Sequence, residues 1–200
     1  MAQTIDTGTE KFEVIHEPKA TLSMHPQKFA LWLFIVTVVM VLASMTSAYI
    51  VRQSEGNWRE FDLPPSFWIN SGIILLSSVA MHWAYLSAKR DNLKQLKIAM
   101  IVTSALGVAF LVGQYQSWDD LVAMNVFFTG GNPSESFVYV LSGLHAAHLV
   151  SGVIFLIVTT VSAFRYRVHA KRMDRIEMCT TYWHFLDGLW LYLFVFLLLN

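Results

Sequence analysis

Five long apolar stretches separated by short polar intervals set the pattern of this chain. They run from about Phe29 to Val51, Phe67 to Ala88, Leu96 to Gln116, Phe137 to Phe164 and Thr180 to Leu199. A helix that crosses a bilayer needs about 20 mostly apolar residues, and each stretch has that length. Peptide groups in lipid must bond within their own helix or around a closed barrel. The alternation of a membrane barrel is absent, so the stretches predict helices. The expected fold is all-α: a membrane bundle of five transmembrane helices over residues 28–200, behind a polar tail over residues 1–27. Short connections make neighbouring helices antiparallel.

Composition agrees with a membrane solvent. The 200 residues are 55% hydrophobic and 14% charged, with a mean hydropathy of +0.48, whereas a soluble domain is roughly 25% charged. The formal net charge is zero, so nucleic acid is not an expected partner. The only cysteine, Cys179, can form neither an internal disulfide nor a paired metal or redox site. The first residues carry Asp6, Glu10, Glu13 and Glu17. They lack the basic start and apolar run of a signal peptide, so they read as a retained tail.

Lys and Arg set the orientation. Twelve fall in the tail, the second connection and the fourth connection, against Arg52 and Arg59 alone on the other side. The N-terminus is therefore expected on the cytoplasmic side and Asn200 outside. The outer connections hold Pro64, Pro65 and the turn cluster Gly130–Gly131–Asn132–Pro133. Trp32, Trp58, Trp68 and Trp118 fall near predicted helix ends, where indoles anchor at the interface.

Ionisable groups in hydrocarbon cost roughly 2.5–3.5 kcal/mol and call for a reason. Here they are His82, His145, His148, His184 and Asp187, with Gln114 as a neutral companion. His145 and His148 are three apart and share a helix face, with Gly152 four further on. Gly143, Ala147 and Ser151 form a second stripe of small residues suited to close helix packing. In the last helix Glu177 and His184 are seven apart on one face, and Asp187 is one turn beyond. By depth, His184 and His82 are the partners available to Asp187. This cluster of His82, Glu177, His184 and Asp187 reads either as a polar pin for helix packing or as a proton-relay or headgroup site. Paired histidines can also hold a haem, and His82 with His184 is the pair at matched depth. The soluble-enzyme patterns GxSxG, HExxH, GxGxxG and the Walker loop are all missing.

The helix sequences resemble subunit III of the haem-copper respiratory oxidases. The last helix reads Tyr182–Trp183–His184–Phe185–Leu186–Asp187–Gly188–Leu189–Trp190–Leu191, similar to that family's YWHFVDxxWL. Glu177 stands seven before the histidine, as the family's glutamate does. Ser142–Gly143–Leu144–His145–Ala146–Ala147–His148 followed by Gly152 resembles TGFHGxHVxxG. Leu106–Gly107–Val108–Ala109–Phe110 with Gln114 resembles LGxxFxxxQ, and Asn70 with Leu75–Leu76–Ser77–Ser78 resembles NTxxLLxSS. The order and helix count match the five-helix form, common in bacteria. Two departures stand out. Val38 follows Leu33–Phe34–Ile35–Val36–Thr37 where the long form carries a buried acid, and Ser117–Trp118 replaces a Glu-Tyr or Glu-Trp pair.

The resemblance implies an accessory subunit with no catalytic centre, haem, copper or other metal of its own. Haem and copper belong to subunits I and II. The main contact would be subunit I, then subunit II, with bound phospholipid and support of proton uptake during oxygen reduction. Lys97, Arg165 and Arg167 would meet lipid headgroups. Other respiratory complexes are further partners the resemblance allows. The expected location is the bacterial inner membrane, and the expected donor is cytochrome c, with quinol as the alternative. Two functions of other classes compete: an independent bis-histidine cytochrome using His82 and His184, and a transporter with Asp187 as proton site. The transporter lacks broken spans and an inverted repeat.

Overall fold

The computed structural model describes residues 26–56, 58–59, 63–90, 92–129, 131–164 and 174–199. They contain five helices: α1 (Pro26–Ser54), α2 (Pro65–Lys89), α3 (Leu93–Ala123), α4 (Pro133–Phe164) and α5 (Asp174–Leu199). All five are long and apolar enough to cross a membrane. Of the polar tail, residues 1–25 lie outside the described residues, and Pro26 and Gln27 already belong to α1.

The helices outrun their apolar stretches because polar residues cap and extend them. Pro65 opens α2, where a missing N–H costs nothing. Asn92 caps α3 by accepting from Gln95 N at 3.3 Å. Asn132 accepts from Ser134 N at 3.2 Å, with Pro133 as the first residue of α4. The predicted end of the third span at Gln116 falls short, because Ser117 and Leu121 continue the buried face of α3. The predicted start of the fifth span at Thr180 is late for the same reason. Ile176 and Cys179 are buried, and Asp174 and Glu177 suit the positive end of the helix dipole.

Four helices close a ring in which α2 packs on α3, α3 on α4, α4 on α5 and α5 back on α2. Side-chain pairs give the register. Trp183 reaches Ser77 and Trp190 reaches Ser71, so α5 and α2 run antiparallel. Trp118 bonds Ser142 while Gly107 faces Val153, so α3 and α4 do too. Helix α1 lies outside the ring against α4 and α5. Its Lys28, Phe34 and Tyr49 meet Glu177, Tyr182 and Phe196 in order, so α1 runs parallel to α5.

Each end of the bundle is tied by ions. At the basic end, which carries Lys28, Lys89, Lys94 and Arg175, Lys28 Nζ lies 2.8 Å from both Asp174 and Glu177. At the Asn132 end, Arg59 Nη1 lies 2.8 Å from the buried Glu135, whose other oxygen accepts from Phe127 N at 3.4 Å. Ser66 bonds Asp120 there as well. Trp32 and Trp68 are exposed, together with a belt that includes Met40, Leu76, Val79 and Ile154, whereas Trp58 packs on Tyr49 and Trp118 bonds Ser142.

Candidate functional site

Two indoles of α5 organise the interior of the ring. Trp183 and Trp190 are seven apart, so both point the same way. Both are about 1% exposed. Each N–H needs an acceptor in an apolar core. Trp183 Nε1 donates to Ser77 Oγ at 3.0 Å and Trp190 Nε1 to Ser71 Oγ at 3.1 Å. Against the Trp183 ring, α3 and α4 present the glycines Gly107 and Gly152. A Cβ on Gly107 would stand 2.7 Å from Trp183 Cη2, and one on Gly152 would stand 2.7 Å from Leu186 Cδ1 and 3.6 Å from Trp183 Cζ3. The family-like glycines of α3 and α4 thus cut a slot that the ring of α5 fills. Gly152 does admit a close neighbour, and that neighbour is a set of side chains rather than backbone.

Beside this spine lies the polar cluster of α2 and α5. Ser78 Oγ and His184 Nδ1 are 2.7 Å apart, and His184 Nδ1 is 4.0 Å from Asp187 Oδ2. The rings of His82 and His184 are tilted at 50° with centroids 6.1 Å apart. Ser78 lies near Asp187 too, yet neither carboxyl oxygen receives a hydrogen bond of normal geometry from the described residues. Exposure rises along this chain of groups: Asp187 is 3% exposed, the His184 side chain 34%, and His82 faces outward. Such an arrangement can hold a proton at depth and exchange it through an imidazole at the surface. Among the described residues, no group of three His, Cys, Asp or Glu could hold a metal ion.

Glu177 is not part of this cluster. It shares the stripe of His184, but two turns separate them, about 10 Å at the helical rise. It accepts from Lys28 at 2.8 Å and fastens α1 instead.

The two histidines of α4 also part company, because residues three apart are offset by about 60° around a helix. His145 turns into the ring, 5.0 Å from Trp190 and 5.9 Å from Phe110 between centroids. His148 turns toward α1, where Phe34 is 6.2 Å away, and its Nδ1 lies 2.7 Å from Leu144 O. The second stripe does not make a tight seam either. Ala147 and Ser151 are exposed, and a Cβ on Gly143 would meet only Trp118 at 3.9 Å. Ser151 serves instead as a hydroxyl partner of Tyr182 at 2.7 Å. Gln114 is buried in α3 beside this region.

A groove of about 400 Å³ between α1 and α5 runs up from His184 past Val39, Ala43, Gly188 and Tyr192. Val38, in the place of the long form's acid, is buried. Of the headgroup candidates, Lys97 is half-buried at the basic end of α3, while Arg165 and Arg167 lie outside the described residues. Sequence reasoning missed the core position of Trp183 and Trp190, whose spacing of seven, matched by Ser71 and Ser77 six apart on α2, was the available signal. It also missed the clamp from Lys28, for which nothing local in sequence speaks.

Residues 19–199 match the protein family described as cytochrome c oxidase subunit III. A probable cytochrome c oxidase subunit 3 of Rickettsia bellii is 36% identical over 138 residues, 68% of this chain and 47% of that protein. The cytochrome c oxidase subunit 3 of Osphranter robustus is 31% identical over 127 residues, 64% of this chain and 47% of that one. The chain thus spans about half the length of these relatives. A cytochrome bo(3) ubiquinol oxidase subunit 3 of Buchnera aphidicola is 25% identical over 181 residues, 86% of this chain and 93% of that protein.

Proposed function

Since the chain belongs to the cytochrome c oxidase subunit III family, we propose that it is the accessory, non-redox subunit of a proton-pumping haem-copper oxidase. It sits in a bacterial cytoplasmic membrane with α1 entering from the cytoplasm. It packs against subunit I, contacts subunit II, retains phospholipid and supports proton uptake while the partner subunits reduce oxygen. The observation that carries this function is the outward-facing His82, joined through His184 to the buried Asp187. His82 lies seven residues from the last residue of α2, about 10 Å along the helix axis. A polar imidazole at that depth is costly against hydrocarbon. A partner subunit, or water and headgroups beside it, gives the imidazole the polar surroundings it needs.

Cytochrome c is the proposed electron donor. Quinol is the alternative donor: the ubiquinol oxidase subunit of Buchnera aphidicola is matched over 93% of its length, against 47% for the Rickettsia protein. That difference follows chain length, so it bears on helix number more than on chemistry. Oxygen consumption by the complex with reduced cytochrome c and with a quinol separates the two.

The function as a whole is tested by tagging this chain, purifying the complex from membranes, and identifying its subunits and haems. Capture of oxidase subunits I and II with their haems is expected. Capture of the chain alone, with a haem band of its own lost in His184→Ala, would instead establish a bis-histidine cytochrome. In the assembled complex, His184→Ala should leave the haem spectrum unchanged and the initial rate nearly intact. Subunit retention or activity over many turnovers should fall, because Ser78 and Asp187 lose their neighbour. Collapse of the first turnovers would assign His184 a direct part in the reaction.

A further inference from the structure

Gln114 on α3 and His145 on α4 are each about 1% exposed. All four of their polar side-chain atoms, Oε1 and Nε2 of Gln114 and Nδ1 and Nε2 of His145, are without a hydrogen-bond partner among the described residues. The two residues stand at one level. The α3–α4 pairs Trp118 with Ser142 and Gly107 with Val153 set Gln114 opposite residue 146, next to His145. Phe110, one turn from Gln114, meets the His145 ring edge-on.

Buried polar atoms are almost always bonded, to protein or to ordered water. A direct bond between these two side chains would not suffice. A neutral imidazole brings one donor and one acceptor, and a primary amide brings two donors and an acceptor. One contact leaves an imidazole nitrogen and an amide group unanswered. The polar groups nearby are already engaged. Trp190 Nε1 is bonded to Ser71, Ser117 bonds Asn70 and Gly113 O, and Ser142 takes the Trp118 N–H while donating to Val138 O. A water needs about two to four polar partners, and Gln114 with His145 supply them.

We infer that α3 and α4 enclose a hydration site in which at least one ordered water bridges the Gln114 amide and the His145 imidazole. Polar pairs lead from it to the Asn132 end: Asn70 with Ser117, Trp118 with Ser142, and Ser66 with Asp120. Toward the basic end, the buried rings of Phe110 and Trp183 fill the ring. These rings bound the hydration site on its basic side.

The test is magic-angle-spinning NMR of the full chain in lipid bilayers, with ¹⁵N-labelled histidine and magnetisation transferred selectively from water. The His145 ring resonances are those lost in His145→Phe. Transfer from water to a His145 ring nitrogen is expected, weakened and shifted in Gln114→Leu. A His145 ring that receives no transfer from water in the wild-type chain, whether dry or bonded straight to the amide, overturns the inference. If His145→Phe does not assemble, the resonances are assigned through the backbone of Leu144 and Ala146, and the wild-type transfer decides alone.

Discussion

Gly152 and Gly188 are both glycines in the packed helices of one bundle, but their neighbours differ. A side chain on Gly152 runs into Leu186, Trp183 and Tyr182, whereas a Cβ on Gly188 meets nothing within 4 Å. Gly152→Leu should cost about 1–3 kcal/mol through overpacking, and Gly188→Ala should be tolerated. Thermal unfolding of the two variants in detergent checks the contrast; equal melting points would mean that the slot around Trp183 is not closed. Ser77 offers a second test. Ser77→Ala leaves the Trp183 N–H without its acceptor, for a loss on the order of 1 kcal/mol, the usual size of such bonds between membrane helices. Trp183→Phe should cancel most of the effect of Ser77→Ala, and additivity in the double variant would show that the bond contributes nothing. The glycines were legible as motif letters, but the object filling their slot was not. It comes from a helix 31 residues or more further along the chain.

At the scale of the helix, α1 differs from the other four. It lies outside the ring, against α4 and α5. Its attachment at the basic end is Lys28 between Asp174 and Glu177, partly solvated and hence modest in strength. Further along, Phe34 meets Tyr182 at 5.8 Å and Tyr49 meets Phe196 at 5.0 Å. Lys28→Glu places three acids together and should loosen this end while the ring of α2 to α5 stays closed. With cysteines at Phe34 and Tyr182 in a Cys179→Ala background, a short bifunctional cross-linker should join α1 to α5 readily in the parent and poorly with Lys28→Glu. Equal cross-linking would show that aromatic packing alone seats α1. The five spans were readable from hydropathy to within a few residues, apart from the two ends that capping and buried polar faces extended. The parallel seating of α1 on α5 was not readable, because uniform apolar faces carry no label for a partner.

For the whole molecule, the proposed orientation rests on the distribution of Lys and Arg. With the basic end in the cytoplasm, the Asn132 turn faces outward. A cysteine at Asn132 should react with a membrane-impermeant thiol reagent applied to intact cells; reaction only after lysis would reverse the proposed topology. The two polar sites sit on different helix pairs, His82, His184 and Asp187 on α2 and α5, and Gln114 and His145 on α3 and α4.

The sequence by itself determined the membrane class, the helix count and the family. Each rests on composition, length and short-range order, which the chain carries locally. It also marked Gln114, His145 and Asp187, which proved to be buried, since an ionisable or amide side chain inside an apolar run is conspicuous, but it passed over the buried Glu135. Only the tertiary structure decided how those residues group. It drew His184 and Asp187 to Ser78 and His82, sent Glu177 to Lys28, and parted His145 from His148. The physical reason is that a helix face of given periodicity states which residues point together, whereas their company depends on the rotation and depth of the neighbouring helix. Those are set by bulky rings finding small residues, as Trp183 finds Gly107, and by buried N–H groups finding hydroxyls, as Trp190 finds Ser71.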